Sequence, residues 1–205
     1  MGVQERKSRH KANVRRLILD AARDLFVTEG YQHTSLRKIA EKIEYSPATI
    51  YLYFQDKSEL LDALLTETFT ELDAKLRHIS LRETDSLTAL RRGLRTYIEF
   101  GLSHPNHYLL AFVQNEALFE GERKHYKLKH GPACFDNLRQ AVRRAISDGH
   151  LTDEDPETTA QALWAAAHGL TSLLITQPDF PFVARRRLIE RMLTLLLDGV
   201  RRRQG

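Results

Sequence analysis

Apolar side chains recur three and four residues apart along almost the whole chain, the spacing that lines one face of an α-helix. The first such stripe runs through Val14, Leu17, Ile18, Ala21, Ala22, Leu25 and Phe26 and stops at Gly30, a residue suited to the left-handed backbone that ends a helix. Leu36, Ile39, Ala40 and Ile43 repeat the pattern over a much shorter span. Ser46 and Pro47 then supply a cap and a first-turn proline for a third helix. Asp56 with Glu59 reads as a capping box, with an acid in place of Ser or Thr. It opens a long fourth helix through Leu60, Leu61, Leu64, Thr68, Leu72, Leu76 and Ile79.

Punctuation sets the later elements. Ser86 is expected to cap a fifth helix ending near His104, and Pro105 to begin a sixth. Gly121 separates that from a seventh segment reaching Gly149, which the Gly131-Pro132 pair should kink or split. Asp155 and Pro156 open an eighth helix to about Thr176, and the turn QPDFPF precedes a ninth. Strict alternation and hairpin dipeptides are missing between Gly2 and Arg203, so the pattern predicts an all-α fold of about nine helices.

Charge changes the picture because it is unevenly placed. Residues 1–54 hold ten Lys or Arg against six Asp or Glu, and the remaining 21 basic and 21 acidic residues cancel, so the whole net charge of +4 lies in the first quarter. Within the leading arm Arg6, Lys7, Arg9, Lys11, Arg15 and Arg16 face one acid, Glu5. Such an excess suits a polyanion, whose condensed counterions are released on binding; a solvated, frayed terminus is the alternative. A lone cysteine, Cys134, excludes an intrachain disulfide and a thiol-built zinc site, and reads as a small buried apolar residue. No apolar run approaches the roughly 18 residues of a membrane span, and the opening residues lack a signal-peptide core, so a soluble, cytoplasmic protein without a membrane partner is expected.

A short helix, a tight turn and a second short helix behind a longer bracing helix form the plan that lays one helix in the major groove. The second helix here is SPATIYLYF. Its early residues Ser46, Pro47, Ala48 and Thr49 are small enough for close approach to base edges. Ile50 and Phe54 point back to the core, and the hydroxyls of Tyr51 and Tyr53 can reach phosphates. For Tyr51 core packing is an equal alternative.

The stretch ILDAARDLFVTEGYQHTSLRKIAEKIEYSPATIYLYFQDKSELLDALL resembles the DNA-binding domain of TetR-family regulators, in register through Phe26, Gly30, Thr34, Ile39, Ala40, Tyr51, Phe54, Lys57 and Leu60. The resemblance implies an N-terminal three-helix helix-turn-helix domain over residues 1–58 and a helical ligand-binding and dimerisation domain over 59–205. It implies that Arg37 reaches the major groove, that Ala48 and Thr49 face bases, and that Tyr51, Tyr53 and Lys57 hold the DNA backbone. One departure stands out. The family usually has a glycine in the turn between the second and third helices, whereas here the turn reads Ile43-Glu44-Tyr45, so a left-handed Glu44 would carry strain of roughly 1 kcal/mol.

In the second domain the eighth helix mixes Ala165, Ala166 and Gly169 with Leu163, Leu170 and Leu174, and the ninth carries Leu188, Ile189, Met192, Leu193, Leu196 and Val200. Their apolar circumference exceeds one core face, which suggests a homodimer through these two helices. The run from Trp164 through His168 to Gly169 resembles the signature of a WHG-type C-terminal branch. Trp164 and His168 share a helical face, fit for core or pocket. Tyr97, Phe100, His104, Tyr108 and Phe112 gather around the fifth and sixth helices and can line an apolar cavity or simply pack.

The expected function is that of a sequence-specific transcriptional regulator, a repressor released from a palindromic DNA operator by a small, mostly apolar effector. No catalytic residue, cofactor or metal is assigned. The histidines His104, His107, His125 and His130 suggest a hydrolase or a metal sensor as rivals, but no HExxH or zinc spacing supports either. A purely structural DNA-binding protein would leave the long, charge-balanced remainder of the chain without a purpose.

Overall fold

In the computed structural model, residues 2–113, 123–152 and 155–202 are described, apart from the side chains of Val3 and of residues 123–130. The elements are α1 (Val3–Thr28), α2 (Leu36–Lys42), α3 (Pro47–Tyr51), α4 (Lys57–Arg82), α5 (Ser86–Ser103), α6 (Pro105–Tyr108), a π-helical turn (Leu109–Val113), α7 (Arg123–Ser147), α8 (Pro156–Thr176) and α9 (Arg185–Val200). The fold is all-α, as the periodicity predicts; among the described residues the one β feature is an isolated bridge between Leu151 and Arg201.

Two compact units result. One comprises Met1–Thr68 with Asn106–Tyr126, the other Phe69–Pro105 with Lys127–Gly205. In the first unit, Ile18, Ala22 and Phe26 of α1 are buried with Ile39 and Ala40 of α2, Ile50 and Phe54 around α3, and Leu60, Leu61 and Leu64 of α4. The π-helical turn packs on α1 and buries Leu110 and Ala111. In the second, α5 packs on α8 and α9, with Leu90, Leu94, Ile98, Leu163, Ala167, Leu170, Leu193 and Leu197 inside.

Local chemistry explains most boundaries. Gly30 ends α1 with φ +86°, and the buried Thr34 hydroxyl shares its one proton between the carbonyls of Gly30 (2.9 Å) and Leu25 (3.3 Å), tying the following turn back to that helix end. Ser35 and Ser46 cap α2 and α3 by accepting from the N–H groups of Lys38 and Thr49. Asp56 Oδ1 accepts from Glu59 N at 2.8 Å, and Glu59 reaches back to Gln55 N at 2.7 Å, one residue before the position a capping box ordinarily serves.

Four expectations are corrected. The leading arm is not frayed: α1 begins at Val3, well ahead of the first packed residue, Val14. Leu17 lies on the margin of the α1 stripe and is exposed, while Leu19 is buried. Asp85, not Ser86, caps α5, because its carboxylate accepts from Thr88 N at 2.7 Å while Ser86 is the first helical residue and is buried. Finally, of the kink or split expected at Gly131-Pro132 the split does not occur: α7 runs from Arg123 to Ser147 with Pro132 inside it, proline's fixed φ being itself helical. The end of the sixth element at Gly121, and Asp153 and Glu154 before α8, lie outside the described residues.

The turn between α2 and α3 places Glu44 at φ 59°, the left-handed region that disfavours a side chain. Replacing Glu44 by Gly is expected to relieve that strain, stabilising the protein by up to about 1 kcal/mol and raising Tm by about 2 to 4 °C, whereas Gly30→Ala should lower it; differential scanning calorimetry reads both.

The capping carboxylates tie stability to pH. Hydrogen bonds from Glu59 N to Asp56, from Thr88 to Asp85 and from Thr158 to Asp155 hold all three below the usual carboxylate range. Because the folded state depresses these pKa values, their contribution is complete above the unfolded value and is lost as pH falls through the folded one. Urea midpoints should therefore hold from pH 7 to about pH 5 and fall below about pH 4, and Asp85→Asn should weaken that fall.

Candidate nucleic-acid interface

The helix-turn-helix presents an exposed face of small and polar side chains over an apolar base. Ile39, Ala40, Ile50 and Phe54 are buried beneath it, while Arg37, Ser46, Pro47, Ala48 and Tyr51 are exposed. The Arg37 side chain is 80% exposed and pairs only loosely with Glu41, one helical turn on, at 3.3 Å. Such a solvated pair contributes little, so the guanidinium is readily released to another acceptor. Tyr51 is 58% exposed, which removes core packing as its role. Tyr53 is half-buried.

The hydroxyls of Ser46 and Thr49 lie 2.9 Å apart, and Ser46 Oγ also accepts from Thr49 N at 3.2 Å. Both residues therefore fix the start of α3. Lys57 is more committed than the sequence suggests. Its ammonium donates to Tyr31 O at 2.6 Å and sits 4.2 Å from the centroid of the Tyr31 ring, tying the start of α4 to the turn after α1. Lys38 pairs with Glu29 at 2.6 Å and Lys42 with Asp24, so α2 is bound electrostatically to α1. Arg15 lies over the Phe54 ring, 5.2 Å from its centroid, and reaches Glu67 at 3.4 Å. Sequence reasoning missed these positioning contacts, since partners 9 to 52 residues apart leave no local pattern.

Of the expected pocket residues, three meet. Trp164 Nε1 donates to Tyr97 Oη at 3.3 Å, and Tyr97 Oη lies 3.2 Å from His168 Nδ1. Phe135 stands edge-on to Trp164 with centroids 5.8 Å apart. Burial pushes the His168 imidazole below its ordinary pKa, which favours a neutral ring. Phe100 and His104 form a local pair at the end of α5, rings 5.0 Å apart, with His104 Nδ1 donating to Phe100 O at 3.2 Å. Tyr108 and Phe112 belong to the other unit, their rings 5.0 Å apart and Tyr108 fully buried. The side chains of His125 and His130 lie outside the described residues.

A site absent from the sequence reading lies between α5 and α9, an open groove of about 400 Å³ lined by Arg95, Glu99, Leu102, Arg185, Arg186 and Glu190. Glu190 accepts from Arg91 at 2.9 Å and pairs with Arg95, and these arginines hold its carboxyl below the ordinary value. Cys134 is buried and its thiol donates to Phe69 O at 3.4 Å. Burial first, and the nearby Asp73 charge second, push that thiol up to about 12, so it stays protonated and unreactive at neutral pH.

Residues 18–64 match the family model of bacterial regulatory proteins, tetR family, and residues 90–196 match a tetracyclin repressor-like C-terminal domain. The HTH-type transcriptional regulator TtgR of Pseudomonas putida is 27% identical over 181 residues, covering 85% of this chain and 86% of that protein. The fatty acid degradation regulator FadR of Bacillus halodurans shares the fold with TM-score 0.79 and 19% identity, over 92% of this chain and 97% of that one. Bacillus subtilis FadR, solved in complex with stearoyl-CoA, gives TM-score 0.76 and 18% identity, over 90% of this chain and 98% of that one. Among the described residues no helix is long and apolar enough to cross a membrane. With both its helix-turn-helix and its larger C-terminal region matched, the chain belongs to the TetR family of DNA-binding transcriptional regulators.

Proposed function

We propose that the protein is a homodimeric repressor that binds a palindromic operator and is released from it by a small, mostly apolar effector. Residues 1–58 read the DNA and residues 59–205 sense and dimerise. The observation that carries the reading is the exposure of Arg37, Ser46, Pro47, Ala48 and Tyr51 above the buried Ile39, Ala40, Ile50 and Phe54. Arg37 reads a guanine through the two acceptors of its major-groove edge, and the small residues from Ser46 to Thr49 allow the helix to come close. Tyr51, Tyr53 and Lys57 anchor phosphates, with Lys57 keeping its bond to the Tyr31 carbonyl and offering its remaining N–H donors to a phosphate oxygen.

The dimer is assigned to α8 and α9. Trp164, Leu173 and Leu195 stay exposed there beside Ala165, Ala166 and Gly169, a larger apolar display than a lone protomer can hide. Release from DNA is a matter of geometry, since two recognition helices enter adjacent major grooves only when separated by about one DNA turn, roughly 34 Å. An effector that binds a different separation more tightly releases DNA, and α4 is one of the elements with residues in both units. The stearoyl-CoA complex of the B. subtilis relative supports an effector with a long apolar part. Tyr97, Trp164 and His168, with Phe100 and His104 of the same unit, are the residues assigned to its pocket.

Selection of random duplex DNA by the purified protein tests the reading. One palindrome should be enriched, and Arg37→Ala should relax discrimination at a single base pair of each half-site by about 1 to 3 kcal/mol. Failure to enrich any sequence at moderate salt would sink it. For the dimer, Leu173→Glu should convert a dimeric boundary to a monomeric one in sedimentation velocity and abolish tight binding to the palindrome; an unchanged dimer would move the interface elsewhere.

A further inference from the structure

The leading part of α1 fits no role described so far. Residues 4–13 are all exposed, and packing starts only at Val14. About three helical turns therefore stand away from the core, ahead of the residues matched by the helix-turn-helix family model. Their sequence, QERKSRHKAN, contains one apolar residue, Ala12, so no protein partner can bury an apolar face against them. It does contain Arg6, Lys7, Arg9 and Lys11 against the single acid Glu5.

The base of this helix is fixed. Arg15 lies over the ring of Phe54, just past the end of α3, so that side of α1 borders the end of the recognition helix. Lys7 and Lys11 precede Arg15 at four-residue intervals and fall on the same side, whereas Arg6 and Arg9 fall on the far side. Stacked lysines repel each other by about 0.2 to 0.5 kcal/mol, a penalty that disappears when phosphates stand opposite them.

We infer that residues 4–13 form a helical arm whose Lys7 and Lys11 grip the DNA backbone flanking each operator half-site, beyond the base pairs read by α2 and α3. From Arg15 the arm extends roughly 16 Å, the length of about five base-pair steps. The arm adds affinity and salt dependence without adding base preference. This rests on the operator reading above.

The test uses the full-length protein and the palindrome it selects, in a duplex extending roughly one helical turn beyond each half-site and in one trimmed to the half-sites. Removing one lysine–phosphate pairing should lower the slope of log K against log salt by about 0.9, so Lys7→Ala/Lys11→Ala should reduce it by about 2 per protomer on the long duplex. The reduction should be much smaller on the trimmed duplex, with the selected sequence unchanged. Arg6→Ala/Arg9→Ala removes equal charge from the far side and should change the slope far less. Equal reductions for the two pairs would reduce the arm to a diffuse field and overturn the assignment, as would an unchanged slope. If Lys7→Ala/Lys11→Ala weakened binding to phosphatidylglycerol vesicles and left DNA binding intact, the arm would belong to a membrane surface instead. Should the native protein select no palindrome, the operator reading fails, a result separate from any of these.

Discussion

A five-residue helix has no independent existence in water, because its nucleation cost far exceeds what one turn of hydrogen bonds returns. The DNA-reading surface therefore depends on the forces that hold α3 in place. Ile50 and Phe54 are buried against α1 and α2, Ser46 caps its first turn, and the Asp56–Glu59 cap starts α4 immediately behind it. The Tyr31–Lys57 contact and the Lys38–Glu29 and Lys42–Asp24 pairs then fix α4 and α2 to α1 from outside the core. Exposed ion pairs of this kind are individually weak, and their value here is orientation. Groove readout requires side chains placed to a fraction of an ångström, and several weak constraints from different directions supply it.

The same unit also carries its own strain. A glutamate in left-handed conformation occupies the turn where a glycine would be at ease, and its charge lies beside the helix that must approach phosphates. Tight non-specific binding would hold a regulator on bulk DNA, where most sites are wrong. A turn acid that trims phosphate attraction, set against a cationic arm that adds it, separates the affinity of the reader from that of its flanks.

In the second unit two sets of polar groups join the helices. Tyr97 is shared between Trp164 and His168 across α5 and α8, and Glu190 between Arg91 and Arg95 across α5 and α9. Both sets connect the helices that also hold the apolar core, so a change at one helix is transmitted by directional contacts as well as by packing. The exposed Leu173 and Leu195 lie on these same helices, so the sensing and assembly proposed above would share elements.

Much of this was legible in the chain itself. Period, caps and terminators, such as Val14 to Phe26, Ser46-Pro47 and Gly30, are local signals, and they determined the helices and the helix-turn-helix because their physical causes lie within a few residues. Tyr51 marks the limit. Its pattern suited core and phosphate equally, and only the packing of Ile50 and Phe54 beneath it decided for solvent. Asp85 over Ser86 was decided by which oxygen reached Thr88 N, and the unbroken α7 by the compatibility of Pro132 with a helix already formed around it. The Lys57–Tyr31 bond, the Tyr97–His168–Trp164 cluster and the groove between α5 and α9 join residues far apart in sequence. Periodicity reports which face of a helix is apolar. It carries no information about which distant face that helix will meet, and tertiary packing alone makes that choice.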